Sequence, residues 1–184
     1  MKDLSLNLLD IAENSVKAGA TLTRLLLAQE GDILTFQVAD DGCGMTEEVL
    51  RGVTDPFYTT RTTRKVGLGL PLLRMAAEQT NGSMEVESKH VDTHPDHHGT
   101  TVTAVFHTDH IDCPPVGDLV ATVTTLIQGH PDTDFLFRHT LEGVTVELDT
   151  RQLREILGDV SLAEYEVLQW ITGFLREQYS PQET

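Results

Sequence analysis

Two glycine-punctuated segments limit how this chain can fold. Asp40-Asp41-Gly42-Cys43-Gly44 closes a run of alternating apolar residues, and Gly67-Leu68-Gly69-Leu70 opens a run of helical period. Glycine admits backbone conformations closed to other residues and lets a neighbouring group come close to the main chain. The unpaired N–H groups of a helix start attract anions. Taken singly, each segment is an ordinary tight turn; what distinguishes them is their setting. Residues 3–18 carry an amphipathic helix pattern, with Leu4, Leu8, Leu9, Ile11, Ala12, Ser15 and Val16 on the buried side. Asp3, Asn7, Asp10, Asn14 and Lys17 recur at three- and four-residue intervals on the other side, so their polar groups stand in one file.

The rest of the pattern is α+β. Residues 21–28 and 33–38 alternate around Gln29-Glu30-Gly31-Asp32, the signature of a hairpin. Thr46-Glu47-Glu48 starts a short helix, 55–65 is polar and aperiodic, and helical period returns over 68–79, with Pro71 in the first turn and Asn81-Gly82 as the stop. Residues 83–89 and 101–107 alternate as two further strands. Pro114-Pro115 marks the boundary between a unit of residues 1–110 and a small α+β module of residues 111–184. That module reads as a helix over 118–128, a hairpin around Glu142-Gly143, a helix over 150–157 and a last helix opened by the capping box Ser161-Leu162-Ala163-Glu164. Leu168, Ile171 and Leu175, with Trp170 and Phe174, are the expected core of that last helix.

Charge narrows the partners. With 13 Lys+Arg against 29 Asp+Glu, the formal net charge of -16 repels nucleic acid phosphates and anionic membranes. No apolar run approaches the roughly 20 residues that span a bilayer, and residues 1–3 lead into the helix without a signal-peptide core, so a cytoplasmic protein is expected. Cys43 and Cys113 lack metal or CxxC spacing and read as reduced thiols. His90, Asp92, His94, Asp96, His97 and His98 are a cluster able to bind Zn2+ or Ni2+ in principle, in a segment that reads as a loop between strands.

In chemical terms, Asp40 can accept a hydrogen bond from an adenine amino group, and the Asn14 amide can offer oxygen to a phosphate-bound Mg2+. The segment Thr59-Thr60-Arg61-Thr62-Thr63-Arg64-Lys65 gathers three of the 13 basic residues into one loop, suited to phosphate.

The order of these motifs resembles the ATP-binding domain of the superfamily that includes histidine kinases, DNA gyrase, heat-shock chaperone ATPases and mismatch-repair ATPases, with histidine kinases the nearest in pattern. Residues 8–17, ending Asn14-Ser15-Val16-Lys17, resemble the N box; Asp40-x-Gly42-x-Gly44 the first glycine box; Asp55-Pro56-Phe57-Tyr58 the phenylalanine box; Gly67-Leu68-Gly69-Leu70 the second glycine box; and Gly99-Thr100-Thr101 the Gly-Thr element of the final strand. The resemblance implies a two-layer α/β sandwich of Bergerat type with a mixed sheet. It also implies roles: Asn14 holding Mg2+, Lys17 on a phosphate, Asp40 reading adenine with Gly42 and Gly44 leaving room for the base, and Thr100 or Thr101 supporting that contact. Phe57, Thr59, Thr60, Arg61, Lys65, Gly67, Leu68, Gly69 and Leu70 would form the lid and phosphate side. Asp10 stands where the ATP-hydrolysing branches carry a Glu and is the candidate base, one methylene shorter.

The resemblance further implies an Mg2+- and ATP-binding signalling protein, with ATP or ADP and a partner protein as ligands. Three functions stay open from the residues. The first is a histidine-kinase-like transferase acting in trans, because the Asn14 helix begins within ten residues of Met1 and leaves no room for a phosphoacceptor helix pair. The second is a nucleotide-gated regulatory module without phosphoryl transfer. The third is a homodimerising ATPase, drawn from Glu13-Asn14-Ser15 and Ala18-Gly19-Ala20.

Overall fold

A computed structural model of the chain describes residues 3–54 and 69–180. Six helices and six strands follow in the order α1 (Leu4–Lys17), β1 (Leu22–Glu30), β2 (Ile33–Asp40), α2 (Glu47–Thr54), α3 (Gly69–Gln79), β3 (Ser83–Lys89), β4 (Gly99–His107), α4 (Leu119–Gly129), β5 (Asp134–Leu141), β6 (Val144–Asp149), α5 (Thr150–Leu157) and α6 (Tyr165–Tyr179). The strands make one sheet in the order β3-β4-β2-β1-β5-β6. Every neighbouring pair is antiparallel except β1 with β5, which is parallel. This is the two-layer α+β arrangement with a mixed sheet that the sequence predicts.

Period-two alternation decides which side chains face the helices. Register aligns Leu25, Val38, Val102, Phe137 and Leu148 in one row, and Leu27, Phe36, Ala104, His139 and Val146 in the next. Against these rows pack Leu4, Leu8, Ile11 and Ala12 of α1, Leu70, Leu73 and Ala77 of α3, Val123, Leu126 and Ile127 of α4, and Ile171 and Leu175 of α6, all in one buried cluster. The row at one end of the same face is polar instead: Thr23, Asp40, Thr100 and Ser88 are register neighbours. On the opposite face Arg24, Gln37, Thr103 and Arg138 stay wholly or partly exposed, with cross-strand contacts between Gln37 and Thr103 (3.1 Å) and between Arg138 and Glu147 (2.9 Å).

The sheet runs on through the boundary read near residue 110, because β5 adds to β1 in parallel over Leu22–Gln29. α4 lies on α1 and α6 on α4. The first two free N–H groups of α1, on Leu4 and Ser5, donate to the carbonyls of Pro115 and Val116 at 2.9 and 2.8 Å, and the Thr122 hydroxyl donates to Ser5 O at 3.0 Å. Orphan donors of a helix start are thus satisfied by the segment that leads into α4.

Two expectations for the last helix need correction. Ser161 Oγ accepts from Ala163 N at 3.1 Å, which closes a turn; fully buried Leu162 pins that turn, and α6 begins only at Tyr165, with no side-chain cap. The capping box is therefore not made. Trp170 is 51% exposed and stacks on half-buried Phe174 with ring centroids 4.9 Å apart, while the core of α6 is Val167, Ile171 and Leu175.

Beneath α6, His139 is buried and its Nδ1 lies 2.9 Å from the Tyr179 hydroxyl, while Nε2 has no partner. Burial lowers the His139 pKa below its ordinary 6.5, and burial, with Asp118 second, raises that of Tyr179. A lowered histidine pKa stabilises the fold above the unfolded value of 6.5, and that contribution is lost as pH falls through the folded value. Chemical denaturation from pH 7 down to pH 5 is expected to show a loss of stability that His139→Gln, which keeps a partner for Tyr179, reduces.

Candidate functional site

Asp40 closes β2 at the polar end of the sheet, and its carboxylate is the meeting point of three segments. Ser15 of α1 donates its hydroxyl to Oδ2 at 2.6 Å. Oδ1 accepts from the backbone N–H of Gly42 at 2.9 Å and of Thr100 at 3.3 Å. Ser15 is buried because the apolar period of α1 turns it toward the sheet, so the hydroxyl and the carboxylate need each other. Next to them Ser88 on β3 bridges outward: it accepts from Met45 N at 2.7 Å and lies 2.8 Å from the Thr100 hydroxyl.

These groups border a cavity of about 230 Å³ lined by Asn14, Ser15, Lys17, Asp40, Gly44, Leu70 and Thr100, with Ile11, Ala18, Val38, Cys43, Met45 and Val102. Its lining includes apolar Ile11, Val38 and Val102 together with Asn14 and exposed Lys17. The cavity is smaller than the roughly 300–1,000 Å³ usual for a small-molecule site.

The glycines have local reasons to be glycine. Gly44 has φ 74°, and a Cβ there would stand 2.0 Å from the Lys89 carbonyl oxygen. Gly99 has φ 141°, and a Cβ there would stand 2.0 Å from the Asp40 carbonyl oxygen. Both positions are thus demanded by how the loop after β2 lies against the β3–β4 connection. His98 fastens the same junction, with Nδ1 2.5 Å from Gly42 O. From α1, Ala18 O accepts from Cys43 N at 2.9 Å. Asp41 holds the start of β1, accepting from the N–H groups of Thr21 and Leu22 and from the Thr21 hydroxyl. Partial burial works to raise the Asp41 pKa, but the Thr21 hydroxyl and these N–H groups outweigh it and hold the carboxyl below its usual range.

The structure brings Asn14, Lys17, Asp40, Gly44, Leu70 and Thr100 to one cavity. Gly42 is buried beside it, and Gly69 begins α3 with its Cβ direction 3.6 Å from Asp10 Cβ, so Asp10 faces the start of that helix. Thr101 is not brought in: it pairs with Ala39 and lines a second, larger groove of about 760 Å³ that runs past the sheet end, with Arg24, Asp41, Glu87 and His97, and that Asp40 also borders. Of the two threonines, Thr100 is the one placed beside Asp40. Phe57, Thr59, Thr60, Arg61, Lys65, Gly67 and Leu68 lie outside the described residues. Among the described residues no group of three or more His, Cys, Asp or Glu side chains is placed to hold a metal ion, the His/Asp segment of 90–98 included. Ser15, Ser88 and Met45 escaped the sequence reading. Ser15 was legible only as buried, and Ser88 only as one member of an alternating strand.

A helix bearing Asn and Lys is set against the polar end of a mixed sheet, in a two-layer α/β unit. Residues 2–110 match the model of the histidine kinase-, DNA gyrase B- and HSP90-like ATPases, and the chain belongs to that family. Sporulation kinase E of Bacillus subtilis is 33% identical over 89 residues, 48% of this chain and 12% of its own length. The sensor histidine kinase CitA of Klebsiella pneumoniae is 32% identical over 85 residues, 45% of this chain and 16% of its own length. The matched region is thus a small part of those relatives. Among solved structures, the MutL ATPase domain of Aquifex aeolicus, complexed with ADP, superposes with a TM-score of 0.54 at 13% identity, covering 85% of this chain and 69% of that one. At that identity the likeness speaks for the fold alone.

The glycine argument is open to measurement. Gly44→Ala is expected to lower unfolding free energy by about 3 kcal/mol or more, because strain and a backbone clash add. Gly31→Ala, at φ 59° with nothing within 4 Å, is expected to lose only about 1–2 kcal/mol in the same denaturation experiment.

Proposed function

We propose that this chain binds Mg2+ and ATP in the cavity between α1 and the polar end of the sheet, and passes the terminal phosphoryl group to a partner protein. The observation that carries the reading is the convergence of Asn14, Lys17 and Asp40 on one cavity from two separate elements. Asp40 Oδ2 has one partner, Ser15, and an unused lone pair for an adenine amino group. The apolar wall of Ile11, Val38 and Val102 suits the face of a base.

The donors present also fit the metal. The Asn14 amide offers a neutral oxygen, and Mg2+ takes a few protein oxygens and completes its shell with phosphate and water. When bound, the ion neutralises charge on the phosphates. Lys17, one turn on, would contribute a mobile ammonium at the rim, and the start of α3, where the first N–H groups lack a partner within the helix, would add a phosphate-facing side. The resemblance assigns Thr59, Thr60, Arg61 and Lys65 to the phosphates as well. Asp10, near the start of α3, would be the group to orient a water or an acceptor group at the terminal phosphate. Phosphoryl transfer is favoured over hydrolysis by the names of the relatives, which are kinases, and the reading places the protein in the cytoplasm. Among the described residues no helix is long and apolar enough to cross a membrane.

A second reading, a nucleotide-gated regulator without transfer, is favoured by one observation: residues 115–130 are bonded directly to the helix that carries Asn14. The two separate cleanly. Calorimetry is expected to show binding of ATP that strengthens with Mg2+. Asp40→Asn and Asn14→Asp are each expected to weaken it about tenfold or more. Terminally labelled ATP mixed with candidate partners then decides: acid-labile label on a partner supports transfer, binding without label supports the regulator, and wild-type affinity in both variants removes the site.

A further inference from the structure

The helix that carries Asn14 is held from behind as well as from the sheet. His130 Nε2 stands 2.8 Å from Glu13 Oε2; a carboxylate can only accept, so the imidazole donates. His130 is the C-cap of α4, with its own N–H on Leu126 O at 2.9 Å. Three residues on, Thr133 N donates to His130 O at 3.1 Å, and Asp134 N donates to Thr21 O at 3.0 Å, which starts the parallel pairing of β5 with β1. The contacts close a ring: Glu13, His130, Asp134, Thr21 and back along residues 13–21 to Glu13. Asn14, Lys17 and Ala18 are inside that ring. On its front side Asp41 locks Thr21 and Leu22, and Ala18 O receives Cys43 N.

We propose that His130 is a positioning residue for the nucleotide site, acting through Glu13 to fix the rotation and depth of α1 and thereby the reach of the Asn14 amide. This inference rests on the proposed Mg2+ and ATP reading and deepens it. Residues 119–134 form the strut by which the C-terminal part of the chain sets metal-dependent affinity. The side-chain amide of Asn14 has no long flexible stem with which to make up a displacement of its helix, whereas Lys17 has one. Loss of the strut therefore falls on the contact through Asn14 more than on contacts to the base, whose reader Asp40 keeps two N–H donors from outside α1, those of Gly42 and Thr100. Groups hydrogen-bonded directly to metal ligands commonly change metal affinity by 10–100-fold, and His130, acting one residue away through Glu13, is expected at the lower end.

The test uses the full chain and ADP, titrated calorimetrically with Mg2+ and again with a chelator. For His130→Ala, the gain in affinity caused by Mg2+ is expected to fall about tenfold, with metal-free affinity changed less than about twofold. His130→Gln, which keeps an N–H donor facing Glu13, is expected to recover most of the gain. Equal losses with and without metal, no loss in His130→Ala, or a Gln variant as poor as the Ala variant would each overturn the proposal, since a merely structural contact gives those results. If His130→Ala does not fold by circular dichroism, His130→Leu, nearer in volume, carries the same expectation. A wild-type protein that binds no ADP removes the functional reading itself, a result distinct from the other outcomes.

Discussion

The Asp40 carboxylate is the joint on which the site depends. It ends a strand whose other inward side chains are apolar, and it is kept there by one hydroxyl from α1 and two N–H groups, from its own loop and from β4. A carboxylate at the edge of a core is tolerated only when its oxygens are occupied. Ser15, Gly42 and Thr100 supply that occupancy and at the same time tie the helix layer to the sheet. The polar row through Thr23, Asp40, Thr100 and Ser88 interrupts an otherwise apolar face, and the cavity lies where it does so. Cohesion of the two layers and the lining of the cavity thus draw on the same few groups.

The segment after residue 110 changes how that joint is braced. Its strands extend the sheet beside β1, its linker carbonyls satisfy the first N–H groups of α1, and His130 reaches Glu13. Helix α1 is therefore gripped at its start and near its end by chain that lies outside the matched residues 2–110.

Much of this was legible in the residues, for physical reasons that differ by element. Alternation over 33–38 and 101–107 gave the strands and their inner faces because burial on one side of a sheet forces period two. The helices at 4–17 and 69–79 were readable from period and from their stops. Trp170 was misjudged because helical spacing says which residues share a face but not whether anything covers it. The capping box at 161–164 failed because burial of Leu162 decided the local path before the hydroxyl could. Thr100 and Thr101 could not be told apart until register set one beside Asp40 and the other on the far face. The pairing of β5 with β1, and of His130 with Glu13, joins residues more than a hundred positions apart and leaves no local trace in sequence.

The most direct test is a crystal structure with a non-hydrolysable ATP analogue and Mg2+. The account predicts the adenine amino group within hydrogen-bond distance of Asp40 Oδ2, the base against Val38 and Val102, and the ion on the Asn14 amide oxygen. Nucleotide found instead in the groove of Arg24, Glu87 and Thr101, or Asp40 and Asn14 contacting no part of it, would contradict the account.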